Sequence, residues 1–203
     1  MLSRLCLLLA GLLILLPLAA TAPHCETPSQ ALATFAGGSF WCMEAPFDEL
    51  PGVSETIVGY TGGTSRNPTY NLVSQGKTDH LEAVRVIFDP QVISYQELLQ
   101  VFWRNIDPTS SNRQFVDIGP QYRTAIFYHN PEQKRLADES IRALAASGLF
   151  SEPIVTQILP VGTFYRAEEG QQDYYLKHPI FYRFYRFGSG RDQFLDKTWN
   201  SGK

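Results

Sequence analysis

The segment from Thr34 to Leu50 limits the fold more than any other part of the chain. Thr34-Phe35-Ala36 reads as a short strand, Gly37-Gly38 interrupts it, and Phe40 to Leu50 carries a helix that Pro51-Gly52 stops. A strand that enters a helix through two glycines places residues 39–42 in the first helical turn. Backbone N–H groups there are unpaired and the helix dipole is positive. The same alternation continues downstream. Glu55 to Tyr60 reads as a strand, 61–69 as a loop rich in Gly, Ser, Asn and Pro, and Leu81 to Phe88 as a strand ended by Asp89-Pro90. Ser94-Tyr95-Gln96-Glu97 is a capping box that predicts a helix to Asn105. A strand over Tyr122 to Tyr128, a helix from Asn130-Pro131 to Gly148, a strand over Ile154 to Leu159 and a short helix from Ala167 to Leu176 follow. Interspersed strands and helices place the chain among α+β or α/β proteins. We expect an α+β two-layer sandwich with a mixed β-sheet packed by helices, of the ferredoxin-like or split βαβ type. The expected organisation is a linker over 23–32, one domain over 33–187 and a polar tail over 188–203.

The first 22 residues stand apart. Arg4 precedes an apolar run from Leu5 to Leu16, and Pro17 is followed by the small residues Ala19, Ala20 and Ala22. That layout predicts a secretory signal peptide and an exported protein, periplasmic or secreted. The run is shorter than the roughly 20 residues that a membrane span needs. Of three cysteines, Cys6 lies in this segment; Cys25 and Cys42 are too few for a disulfide scaffold, though export makes a bridge between them allowable. The net charge of −3 comes with no basic block, so nucleic acid is not an expected partner.

Cys42 is the first candidate for chemistry. Its place in the first helical turn favours a thiolate, against the alternative of a buried structural cysteine. Ser39 reads most simply as a helix N-cap, and no Gly-x-Ser-x-Gly elbow surrounds it. Residues 82, 84, 86 and 88 share a strand face and are Glu, Val, Val and Phe. A glutamate leading an apolar face is a candidate general acid, unless it sits at the strand edge and reaches water. Tyr70 and Tyr122 are phenols able to donate to an oxygen that gathers charge, or simply core residues. Asp117 reads as a turn residue. His80 has no second ligand at metal spacing, so no metal is expected. Gly59, Gly62 and Gly63 lack the lysine of a phosphate loop. The run Phe181-Tyr182-Arg183-Phe184-Tyr185-Arg186-Phe187 reads as a strand or extended segment closing the core.

Several of these segments together resemble one family. Phe35-Ala36-Gly37-Gly38-Ser39-Phe40-Trp41-Cys42-Met43-Glu44 is similar to the signature of the methionine sulfoxide reductase A family. So are Gly59-Tyr60-Thr61-Gly62-Gly63, Asn67-Pro68-Thr69-Tyr70, Asp79-His80-Leu81-Glu82-Ala83-Val84 and Asp117-Ile118-Gly119-Pro120-Gln121-Tyr122-Arg123, in order, across residues 33–180. The resemblance implies thiol-dependent reduction of methionine S-sulfoxide, free or in oxidised proteins and peptides. It implies no bound cofactor, and a thioredoxin-like or other thiol reductant as electron donor. Carried onto this chain, it makes Glu82 the acid that protonates the sulfoxide oxygen, Tyr70 and Tyr122 its hydrogen-bond donors and Asp117 their support. Phe40 and Trp41 form the pocket for the S-methyl group. The chain departs at one place: the family's attacking cysteine precedes Phe-Trp, and here that residue is Ser39. A serine oxygen cannot accept the sulfoxide oxygen without forming an O–O bond. Cys42 lies one helical turn on, roughly 5 Å away along the axis and on the same face. It is the candidate nucleophile of a single-thiol enzyme, and Cys25 is the other thiol that could resolve a sulfenic acid. The alternative expectation is a pseudoenzyme or binding module that recognises oxidised Met without reducing it.

Overall fold

The computed structural model describes residues 30–200, so the expected signal segment, most of the linker, Cys6 and Cys25 lie outside the described residues. In chain order the strands are β1 (Ala31–Gly37), β2 (Val53–Thr61), β3 (Leu81–Phe88), β4 (Arg113–Gln114), β5 (Asp117–Ile118), β6 (Thr124–Tyr128), β7 (Gln157–Pro160) and β8 (Tyr165–Arg166). The helices are α1 (Phe40–Asp48), α2 (Tyr70–Ser74), α3 (Tyr95–Trp103), α4 (Pro131–Ala146), α5 (Tyr174–Lys177), α6 (Pro179–Gly188) and α7 (Arg191–Asn200).

Six strands form one sheet in the order β7-β6-β1-β3-β2-β8, and β4 pairs with β5 alone. β1 and β2 both run antiparallel to β3, which lies between them, so β1-α1-β2 is a split βαβ unit. β6 and β7 pair in parallel, with α4 as the crossover. The fold is the expected α+β class with a mixed sheet.

The alternation on β3 is as the sequence predicts. Val84, Val86 and Phe88 join Phe35, Phe47 and Phe102 in the core under the helices, while Leu81 and Ala83 pack with Phe127 on the other face. Phe35 is stacked between rings of neighbouring elements, 5.1 Å from Phe47 of α1 and 5.1 Å from Phe102 of α3. That contact fixes α1 over the centre of the sheet. The capping box on α3 forms in full: Glu97 donates its N–H to the Ser94 hydroxyl, and its carboxylate accepts from Ser94.

Three expectations for the C-terminal region are corrected. Residues 181–187 are not extended; they lie in α6, begun by Pro179. The residues after Phe187 are not a free tail, because α7 follows and its first residue, Arg191, is 1% exposed. Between Ala167 and Asp173 the chain turns, and the helix expected over that stretch is confined to Tyr174–Lys177.

Candidate active site

The site begins at the break between β1 and α1. A Cβ on Gly37 would stand 2.7 Å from the Met43 sulfur. Gly38 has φ +86°, and a Cβ there would meet Gln114 at 2.5 Å. Only glycines let the strand turn this tightly into the helix. Ser39 is the N-cap residue, but its side chain makes no capping bond. Its carbonyl accepts from the Cys42 N–H at 3.0 Å. The first free donor of α1, the Phe40 N–H, instead meets the carboxyl oxygen Oε2 of Glu82 at 3.1 Å. Glu82 thus caps the helix from the adjacent strand β3.

Glu82 is 2% exposed, so the edge-of-strand alternative does not apply. Burial pushes its carboxyl up to about 8, the Phe40 N–H pulls it down less strongly, and the nearby Asp117 pushes it further up. Its second oxygen, Oε1, is buried and has no hydrogen-bond partner among the described residues. A neutral carboxyl with one free oxygen is a proton donor held in place by the other oxygen.

Tyr70 and Tyr122 stand beside it. Tyr70 opens α2 and donates its backbone N–H to Glu168 Oε1 at 2.9 Å; Glu168 Oε2 accepts from the Tyr60 hydroxyl at 2.7 Å. Tyr122 ends a 3-10 turn over Pro120–Tyr122, tied to α2 by the Gln121 amide, which donates to the Ser74 carbonyl at 2.9 Å. Burial raises both phenols, and the charges of Glu82 and Asp117 raise them further. Both remain protonated donors across neutral pH.

The apolar wall is built on Trp41. Its indole N–H donates to Gln171 Oε1 at 3.0 Å. Tyr174 lies nearly flat against it, with centroids 3.9 Å apart and a 9° interplanar angle, and Tyr70 stacks at 5.7 Å. Phe40 is fully buried behind them, against Val58, Tyr60 and Val73. The turn that delivers Tyr174 is itself anchored: the Asp173 N–H, at a left-handed φ of +53°, donates to Glu44 Oε1 at 3.0 Å.

Asp117 is no simple turn residue. Both of its carboxyl oxygens accept from the Tyr185 hydroxyl at 2.7 Å. Burial raises its carboxyl, while Tyr185 and Arg191 pull it back. Tyr185 lies edge-on to Trp41 at 5.8 Å. Tyr185 and Asp117 therefore form a hydrogen-bonded polar pair beside Trp41.

Cys42 is 1% exposed. Its carbonyl accepts from Arg186 at 3.0 Å, and the charges acting on its thiol belong to Arg191, Arg186, Asp117 and Asp192. Burial raises the thiol above its ordinary value, and the two arginines offset only part of that. The helix N-terminus does not leave a ready thiolate here, because removal from water outweighs the dipole. His80 is structural: its ring accepts from the Gly63 N–H at 3.1 Å and meets the Ser65 carbonyl at 2.8 Å, which pins the glycine loop. Among the described residues no group of three or more His, Cys, Asp or Glu could hold a metal ion.

Glu82, Tyr70, Tyr122, Asp117, Ser39 and Trp41 thus converge on one place, with Cys42 buried in the first turn of α1. Sequence reasoning missed Tyr185, Tyr174, Gln171, Glu44, Arg186 and Arg191. A family model described as peptide methionine sulfoxide reductase matches residues 31–203. The chain belongs to the peptide methionine sulfoxide reductase family. It is 56% identical over 168 residues to a peptide methionine sulfoxide reductase MsrA of Bacillus licheniformis, covering 83% of this chain and 93% of that protein. With its counterpart in Bacillus subtilis it shares 52% over 170 residues, 84% and 96% of the two chains. Among solved structures, methionine sulfoxide reductase A of Corynebacterium diphtheriae superposes with a TM-score of 0.68 at 36% identity, over 76% of this chain and 78% of that one. Mxr1 of Saccharomyces cerevisiae in reduced form also gives 0.68, at 34% identity over 74% and 87%. A further Mxr1 structure, in complex with Trx2, gives 0.50 at 28% identity over 71% and 84%. The family's reaction is reduction of peptide methionine S-sulfoxide, and the chain is an oxidoreductase acting on sulfur. The Bacillus and Corynebacterium relatives are reductases, which lends the binding-only alternative no support.

Proposed function

We propose that Glu82 is the general acid of the reduction and that the Cys42 thiol takes the sulfoxide oxygen. The reading rests on Glu82: fully enclosed, neutral up to about pH 8, bonded through one oxygen to the helix start and free at the other. The S-methyl group lies against Trp41 with Phe40 behind it. Tyr70 and Tyr122 donate to the oxygen as it gains negative charge. Sulfur attack on the sulfoxide sulfur, with proton transfer from Glu82 to the oxygen, forms an S–S bond. Collapse moves the hydroxyl to the enzyme sulfur, releases the thioether and returns a proton to Glu82. The net change is thiol plus sulfoxide to sulfenic acid plus thioether. A dithiol reductant of the thioredoxin type then forms a mixed disulfide with loss of water, and its second thiol frees the enzyme. Ser39 takes no part in oxygen transfer. A thioredoxin partner fits the complex formed by Mxr1. Export to a periplasmic or extracellular compartment, with cleavage near Ala20 or Ala22, accords with the apolar run at residues 5–16.

The burial and raised thiol of Cys42 favour a second reading, in which the reductant's own thiol attacks the bound sulfoxide and Glu82 supplies the proton. Two thiols and one sulfoxide then give one disulfide, one thioether and one water. Turnover of a methionine S-sulfoxide peptide with dithiothreitol separates the two. Activity that disappears in Cys42→Ala and falls by a factor of about 10² to 10⁴ in Glu82→Gln supports the first reading. Activity that survives Cys42→Ala but not Glu82→Gln assigns the attacking sulfur to the reductant. No activity in the wild type, with strong activity in Ser39→Cys, would show that both are wrong and that a thiol at residue 39 is required.

A further inference from the structure

The outer face of α6 is apolar and open to solvent. Ile180 is 73% exposed, Phe181 60%, Phe184 76% and Phe187 68%. They recur at the spacing i, i+1, i+4 and i+7, which is one helix face. A shallow cleft of about 370 Å³ lies between Ile180, Arg183, Phe184 and Phe187. A run of large apolar side chains left in water marks a surface that something else covers.

Continuity with the catalytic pocket identifies the occupant. Trp41 stacks on Tyr174 at 3.9 Å, and Tyr174 meets the edge of Phe181 at 6.3 Å. Phe184 and Phe187 follow one and two turns along α6, at about 5.4 Å per turn. A methionine sulfoxide seated beside Trp41 and borne on a polypeptide carries its neighbours across the adjoining surface. Three or four extended residues at roughly 3.3 Å each reach from Trp41 to Phe181. On the side of the glycine loop the mouth is polar: Asp79 accepts from Thr64 and Ser65, and those groups are exposed. The apolar side is α6. Methionine is ordinarily a core residue, and its oxidation inserts a polar group that loosens the core around it. Segments that present oxidised methionine are therefore rich in apolar neighbours.

We propose that the exposed face of α6 docks the apolar flanks of unfolded, oxidised polypeptides and so gives the enzyme a preference for damaged protein over free methionine sulfoxide. The proposal rests on the sulfoxide reductase reading, and its test separates the two. The substrates are a 12-residue peptide with one methionine S-sulfoxide flanked by Leu and Phe, the same peptide flanked by Gly and Ser, and free methionine S-sulfoxide. The variant is Ile180→Gln/Phe184→Gln/Phe187→Gln, whose folding is checked by circular dichroism. The expected result is a KM at least tenfold lower for the apolar peptide than for the polar one in the wild type, and no such difference in the variant. The kcat/KM for free sulfoxide and the KM for the reductant stay unchanged. Binding of the unoxidised apolar peptide, followed by fluorescence anisotropy, reads the docking face with no turnover. If no substrate is turned over but the wild type binds that peptide and the variant does not, docking holds and the catalytic reading fails. Several outcomes overturn the proposal: an apolar preference that persists in the variant, a variant that loses only affinity for the reductant, a wild type that sediments as a dimer while the variant is monomeric, or binding to phosphatidylglycerol vesicles but to no peptide.

Discussion

Glu82 shows how a single residue's role emerges from its neighbours. Period-two spacing on β3 put it on the face of Val84, Val86 and Phe88, and that much was legible in the sequence. Its contact with the Phe40 N–H was not, because 42 residues separate the two and only the β1-α1 crossing brings them together. The carboxyl must be protonated to act as an acid, and it is lifted to about 8. As thiolate forms, kcat/KM is expected to climb with pH, and to bend to a plateau near pH 8 as Glu82 ionises. In a pH series of kcat/KM, Glu82→Gln should be slower by about 10² to 10⁴ at pH 7 and should lack that bend. A wild-type profile that rises beyond pH 9 with no bend near 8 would remove Glu82 from the role. Tyr185 was not legible as a site residue, since its phenol reaches Asp117 from 68 positions away. Loss of that hydroxyl leaves a buried carboxyl without its donor. Tyr185→Phe is thus expected to raise the Asp117 carboxyl further and to shift the pH profile, with a fall in kcat of about tenfold, an effect of roughly 1.4 kcal/mol, the scale of one hydrogen bond to a charged group. A purely structural role would lower the melting temperature and leave the profile in place.

At the scale of elements, the legible parts were those whose local chemistry agrees with their tertiary setting. The capping box of α3, the Asn130-Pro131 start of α4 and the alternation of β3 all fall where propensity and packing coincide. α6 is the opposite case. Its run of aromatic and arginine residues suits a strand by composition, yet Tyr182, Tyr185, Arg186 and Ser189 recur at helical spacing and turn inward. Pro179 stands at its first turn, and Gly188 and Gly190 stand at its end. Those signals were present, but Pro179 reads equally well as the stop of the preceding helix. α7 carried a weaker signal still, because one buried charge holds its start. Arg191 donates to the Gly37 and Asn105 carbonyls and lies over the Phe115 ring at 4.7 Å. Arg191→Met keeps the volume but leaves two buried carbonyls without donors. We expect it to destabilise the protein by about 2–4 kcal/mol and to expose α7 to proteolysis before the rest of the domain. Urea unfolding with limited proteolysis measures both. A variant as stable as the wild type would mean that α7 is held by its other contacts alone.

Across the whole molecule, the site imposes its own pH dependence on stability. Burial raises Glu82 to about 8 and Glu44 to about 7, against an ordinary 4.5 for both. Below about pH 4.5 each is protonated in both the folded and the unfolded chain. Between there and the folded values, the unfolded chain has released two protons that the native protein still holds. Stability must then fall as pH rises, by a slope approaching about 1.4 kcal/mol per pH unit for each group. The stabilisation of the neutral forms is complete below about pH 4.5 and is lost by about pH 7 for Glu44 and pH 8 for Glu82. Glutamine is neutral throughout, so Glu82→Gln removes one of the two contributions. The urea midpoint of the wild type, measured at pH 5, 6, 7 and 8, should therefore decrease steadily. That of Glu82→Gln should decrease less and level off near pH 7, where Glu44 finishes titrating. The same carboxyl that must be neutral to donate a proton is the one that makes the fold less stable in alkaline solution. A single substitution should therefore slow the reaction and flatten the stability curve together. A flat wild-type curve would mean that both carboxylates ionise in the folded protein at their ordinary values, and Glu82 would then have no proton to give at neutral pH.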